Sequence, residues 1–244
     1  EREGQGLSRP ELAVLLSWSK IRLYNQILES DIPDDPAVEP LLFSYFPVPL
    51  HKYKAEIKNH KLKREIIATQ VVNSLVNRMG SVFVASRMAK TGKPAMEVIK
   101  AYLVAVDVYG LKHIWQRIEA LDGKVPADIQ LKALHDIFLT TKRAITWLLR
   151  FGGDRLNISA AVGFYGPGVV GLKKSLVEFL PASTHEALQK AEDALEVPGM
   201  PQELAIDIAQ MGLMSSASDI VHIAKRGGGD IGRVAMAYFT VGEH

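Results

Sequence analysis

Between Lys61 and Gly80 the sequence KLKREIIATQVVNSLVNRMG places both its apolar and its polar residues at helical spacing. At about 100° per residue, Ile67, Ala68, Val71, Val72, Leu75, Val76 and Met79 share one broad arc, as in a helix laid on a core. Beside that arc Thr69, Asn73 and Asn77 recur at i, i+4 and i+8 with Ile66 among them, so one flank carries amides and an isoleucine instead of Lys and Glu. Buried amides require hydrogen-bond partners, which predicts a neighbouring helix or another domain against this flank. A polar flank standing in water is the alternative.

The same period recurs along the chain, punctuated by glycine and proline. Ser8 followed by Pro10 and Glu11 is a capping box with proline in the first turn, opening a helix expected from about Arg9 to Leu28. SDIPDDP is turn chemistry leading to a short helix through Leu41, Leu42 and Tyr45, which FPVP ends at Phe46. A long helix or a bent pair is expected from Leu50 to Met79. Gly80, Gly92 with Pro94, Gly110, Gly123 with Pro126, and Gly152 with Gly153 each close one periodic segment and open the next. Pro126 to Phe151 reads as a long amphipathic helix carrying Trp147. The glycines from Gly163 to Gly171 predict a helix break, followed by helices near Val169 to Leu180, Thr184 to Leu195, Gln202 to Met211, Ser216 to Ala224 and Asp230 to Phe239. No segment alternates like a strand. The expected fold is all-α, a multi-helix bundle of antiparallel helical hairpins with no substantial sheet. It divides into a helical domain over 1–152 and a smaller helical subdomain over 153–244.

Composition narrows what such a bundle can do. A chain of 244 residues buries a core without staples, and its lack of cysteine excludes disulfides and thiol chemistry and fits a reducing interior. A net charge of +2 gives no overall pull toward nucleic acid or anionic lipid. The longest uncharged stretch, Leu156 to Leu172, is too broken by glycine and Pro167 to span a membrane. The opening EREGQGLSRPE has neither an initiator Met nor an apolar signal region, and the chain stops just after Gly242, so an excised piece is expected.

Motifs for chemistry are weak. Gly166, Gly168 and Gly171 satisfy GxGxxG, but no β-branched strand precedes them, Pro167 removes a backbone donor, and Leu172 stands where a phosphate loop needs Lys. The glycines therefore read as a helix break and not as a dinucleotide site. Between His51 and Arg64, six cations (Lys52, Lys54, Lys58, Lys61, Lys63, Arg64) face one acid, Glu56, yet they spread around the helix with only Tyr53 interleaved. A solvated or subunit-facing surface is expected there, with no nucleic-acid partner. His51, His60, His113, His135, His185, His222 and His244 form no ligand pair with a suitable carboxylate, so no metal site is expected. Ser159 and Ser175 lack a nucleophile elbow. Lys225 to Asp230 offers a glycine-rich anion nest, though an interhelical loop with Asp230 as N-cap is the simpler reading.

In order along the chain, LSRPELAVLLSWSKIRLY, SDIPDDP, REIIATQVVNSLVNRMG and IEALDGKVPADIQL resemble the C-terminal helical region of the large class of bacterial NAD-specific glutamate dehydrogenases. The resemblance runs from about Leu7 to the closing AYFTVGEH. It implies a cytoplasmic parent oxidoreductase converting L-glutamate, NAD and water to 2-oxoglutarate, ammonia and NADH. The family's catalytic lysine, its acidic partner and its dinucleotide-binding fold precede these motifs, so no catalytic, cofactor or metal residue is carried over and NAD is not expected to bind this region. The expected role is packing. A face bearing Arg64, Thr69, Asn73, Asn77 and Arg78 docks on the catalytic domain of the same polypeptide or on a neighbouring subunit of a homo-oligomer. The alternatives are an amino-acid-binding allosteric module of the same enzyme and an independent helical scaffold or nucleic-acid-binding protein.

Overall fold

The computed structural model describes residues 6–153 and 155–242. The opening EREGQ and the closing Glu243 and His244, on which part of the sequence reading falls, lie outside the described residues. Thirteen α-helices and four short 3-10 turns account for the elements among the described residues, with no strand. None of those helices is long and apolar enough to cross a membrane. The chain forms two compact units, residues up to Leu103 and residues from Val104 onward.

The first unit holds α1 (Arg9–Glu29), α2 (Glu39–Tyr45), α3 (Lys54–Lys58), α4 (Lys63–Met79), α5 (Phe83–Thr91) and most of α6 (Ala95–Val108). At the start of α1 the Ser8 amide and hydroxyl both donate to Glu11 Oε2, at 2.8 and 2.6 Å, and these bonds hold the Glu11 carboxyl below its ordinary range. Helix α4 packs on α1 and α2 and buries Ile66, Ile67, Ala68, Val71, Val72, Leu75 and Met79. The arc matches the sequence period except that Val76 is half-buried and Ile66 belongs to the core. Upstream, the segment from Leu50 to Met79 is no single helix. A 3-10 turn over Val48–Lys52 and the short α3 come first, and the chain then turns through Asn59 to Leu62, where the Leu62 amide donates to His60 Nδ1 at 3.1 Å. Helix α6 is anchored to α4 by a 2.7 Å bond between the Ser74 and Tyr102 hydroxyls, and burial pushes Tyr102 up to about 12.

The second unit contains the end of α6, α7 (Leu111–Glu119), α8 (Ala127–Phe151), α9 (Ile158–Lys174), α10 (Ala182–Asp193), α11 (Gln202–Met214), α12 (Ala217–Gly227) and α13 (Ile231–Val241). Helix α8 packs against α7, α11 and α12. Its Thr140 hydroxyl donates to the Met211 carbonyl at 2.9 Å, so a polar group in the core is satisfied across helices. The sequence reading divides the chain at 152/153, whereas the compact units divide at 103/104 because α7 and α8 share their apolar faces with the helices that follow.

The expected break at Gly163 to Gly171, and with it a helix starting at Val169, is overturned. Helix α9 runs unbroken from Ile158 to Lys174 with Pro167 inside it. Asn157 caps it, accepting from the Ala160 amide at 2.7 Å, and Ile158, Ala161, Tyr165, Val169 and Leu172 bury one face at helical period. That burial offsets the donor lost at Pro167. One glycine has a packing reason: a Cβ on Gly168 would lie 2.8 Å from both Val221 methyls, so its absence lets α9 approach α12. A Cβ on Gly171 would meet nothing within 4 Å.

These two positions separate packing from a flexible loop. Gly168→Ala is expected to lower the unfolding free energy by ~1–3 kcal/mol through overpacking. Gly171→Ala is expected to raise it by up to ~1 kcal/mol through helix propensity. Urea denaturation of both variants checks the opposite signs.

Candidate functional site

In the second unit a cavity of about 230 Å³ lies among the end of α6, α7, α9 and α11. Val108, Val169, Met211 and Met214 supply an apolar lining, and Asp107, Lys173 and Asp207 supply charge. Both Asp207 oxygens are committed: Oδ2 accepts from Arg117 at 2.5 Å and Oδ1 from Lys173 at 2.6 Å. This half-buried carboxylate therefore bridges α7, α9 and α11 as a neutralised junction, an arrangement that fits holding helices together better than abstracting protons. Asp107 differs. Its carboxyl remains solvent-accessible, yet partial desolvation raises it above the ordinary carboxylate range.

A second cluster joins α8, α9 and α12. The Tyr165 hydroxyl lies 3.0 Å from His222 Nδ1 and the two rings stack at 6.3 Å, while Trp147 meets both edge-on at 5.6 and 5.4 Å. The Lys225 ammonium sits 4.6 Å over the Phe164 ring and donates to the Phe164 carbonyl. The buried Trp147 indole nitrogen has no hydrogen-bond partner among the described residues. Desolvation lowers the His222 imidazole, the Arg226 charge lowers it further, and Asp219 opposes both.

The five residues expected on a docking face divide in their surroundings. Arg64 turns into its own unit: it donates to the Leu28 and Ser30 carbonyls at 2.7 and 2.9 Å and pairs with Asp34, closing the end of α1. The Thr69 hydroxyl donates back to Glu65 O at 2.7 Å. Asn73 and Arg78 are half-buried and Asn77 is exposed. The literal GxGxxG lies within α9, where helical backbone already uses its amides, so no phosphate loop exists there. In the basic segment Lys58 pairs with Glu39 at 2.8 Å and His51 Nε2 bonds to the Phe43 and Phe46 carbonyls, which gives part of that segment a structural role. Asp230 caps α13, accepting from the Arg233 amide at 3.0 Å, and Gly228 ends α12 at φ 64°. Among the described residues, no three His, Asp or Glu side chains converge as a metal site. Neither cluster was legible in sequence, because Arg117 and Asp207 are 90 residues apart and Tyr165 and His222 are 57 apart.

Residues 4–244 match the family model described as glutamate dehydrogenase, C-terminal. An NAD-specific glutamate dehydrogenase of Pseudomonas aeruginosa is 38% identical over 240 residues, which is 98% of this chain and 15% of that protein. Proteins of the same description from Halomonas elongata and Mycobacterium tuberculosis are 34% and 28% identical, over 99% and 98% of this chain and again 15% of their own lengths. The chain thus spans about 15% of the curated relatives it matches.

The lowered His222 predicts an acid-sensitive second unit. Its folded pKa lies below the ordinary 6.5, so its contribution to stability is fully present above that pH and is lost as the pH falls through the folded value. Denaturant midpoints measured from pH 8 to pH 5 are expected to fall less steeply for His222→Gln than for the parent chain.

Proposed function

The chain belongs to the glutamate dehydrogenase C-terminal family, and from that premise we propose that it is the non-catalytic helical region of an NAD-dependent glutamate dehydrogenase. The parent enzyme converts L-glutamate, NAD and water to 2-oxoglutarate, ammonia and NADH. The observation that carries this reading is the proportion of the match: nearly all of this chain aligns with 15% of proteins named for that activity. Substrate and NAD then belong to polypeptide outside the matched stretch, in keeping with the closed Asp207 junction and the helical GxGxxG described above.

The region's own work is docking on the catalytic domain of the same polypeptide and support of a homo-oligomer in the cytoplasm. Within the α4 face, Asn73 and Asn77 remain the best candidates for a hydrogen-bonding rim, since Arg64 and Thr69 are engaged internally. A regulatory role has one supporting observation, the α6–α7–α9–α11 cavity with its apolar lining and the perturbed Asp107.

Three measurements test the reading. The isolated chain is expected to produce no NADH from glutamate and NAD, while the full-length protein does; turnover by the isolated chain removes the proposal. In the full-length enzyme, Asn73→Ala with Asn77→Ala is expected to weaken assembly or stability by about 1–2 kcal/mol. Unchanged association, melting and kinetics would remove this flank from the docking surface. Calorimetric titration of the full-length enzyme with amino acids, repeated with Asp107→Asn, decides whether the cavity binds one.

A further inference from the structure

The first two thirds of α1 stand away from the core of their own unit. Leu12, Val14, Leu15, Leu16, Trp18 and Ile21 are each more than two fifths exposed, Trp18 reaching 65%. Two stripes are present. Leu12 and Leu16 lie on the same face as Leu23 and Ile27, and that stripe is buried at Leu23 and Ile27 but bare about two and three turns before Leu23. Val14, Trp18 and Ile21, at i, i+4 and i+7, form a second stripe on the opposite side. A helix that is apolar on most of its circumference is a helix built to be enclosed. From Leu12 to Ser19 there is no charge, and the two polar side chains, Ser17 and Ser19, donate their hydroxyls to the Ala13 and Leu15 carbonyls at 2.9 and 2.8 Å. Their hydrogen bonds are thus made within the helix, as burial of this segment requires. A groove of about 270 Å³ continues the surface between α1 and α5, lined in part by Leu23, Val84, Ala85 and Met88.

We propose that the exposed part of α1 inserts into an apolar groove of the polypeptide that precedes this region in the full-length dehydrogenase, fastening the region to its own catalytic body. The inference rests on the reading of the chain as part of that enzyme. Three observations favour this occupant over a second copy. The family description is C-terminal and the matched stretch is 15% of each relative, so more than four fifths of such a polypeptide lies outside it, on the α1 side. Helix α1 is the first helix among the described residues, and so the helix of this region nearest along the chain to polypeptide that precedes it. The bare stripe also prolongs one already buried in the first unit, so a groove closing over it extends an existing core.

The test uses the full-length enzyme with a photoreactive benzoylphenylalanine in place of Trp18, an exposed position at which replacement leaves the unit's core intact. Illumination is expected to give a product of single-chain size, joined by mass spectrometry to a peptide N-terminal to this region. A dimer-sized product joined to α1 of another copy, a link confined to this region, or no link overturns the proposal. In the same enzyme, Val14→Gln with Trp18→Gln and Ile21→Gln is expected to speed amide exchange over residues 9–22 by at least ~tenfold. Unchanged exchange likewise overturns it. Assaying the same preparation for glutamate-dependent NADH separates the two readings. An active enzyme without the N-terminal link loses the α1 proposal alone, and a linked but inactive protein loses the proposed function.

Discussion

Each unit depends on burying one apolar stripe per helix against a neighbour's stripe. In the first unit the stripe of α4, from Ile66 to Met79, faces α1 and α2. In the second, the stripe of α8 from Ala133 to Leu149 faces α7, α11 and α12. Helices satisfy their own backbone amides, so what remains to be arranged is side-chain burial, worth about 25 cal/mol per Å² of apolar surface removed from water. Polar residues enter these seams only with a partner, as Thr140 does with the Met211 carbonyl and Tyr109 does with the Ser218 hydroxyl at 2.8 Å.

Where the stripes meet, side chains far apart in sequence become neighbours. Asp207 gathers Arg117 and Lys173 from two other helices, and Tyr165 meets His222 beneath Trp147. Arg64 performs the corresponding task in the first unit by gripping the carbonyls at the end of α1. These polar junctions fix how helices are set against one another, a requirement that burial of interchangeable aliphatic side chains does not meet alone. The same logic gives the uncovered turns of α1 their meaning. Under the proposed reading their counterpart is supplied from outside the first unit.

Most of the helices were readable from the chain because their punctuation is local. Ser8, Pro10 and Glu11 specify a helix start within four residues, and Gly80 and Gly92 each close a helix at the expected place. Helix α9 departs from its local sequence signal for a physical reason. Its glycines and Pro167 have low intrinsic helix propensity, and the buried face from Ile158 to Leu172 overrides that preference only once α12 and α13 are packed against it. Gly168 looked like a breaker and is a contact point.

The candidate site was less legible than the fold. Thr69, Asn73 and Asn77 mark a polar flank in sequence, yet the outward and inward parts of α4 separate only in three dimensions, with Arg64 spent on α1 and Asn77 left outside. Taken alone, the order of amino acids determined the all-α class, the family resemblance and the helix boundaries outside the Leu50 to Leu62 and Arg155 to Leu180 stretches, since period, caps and motifs act over a few residues. Tertiary structure decided which glycines pack, which charges neutralise one another and which part of α1 stays bare. Those outcomes depend on what each helix meets in space, and that is set by the combined burial of all the stripes in a unit.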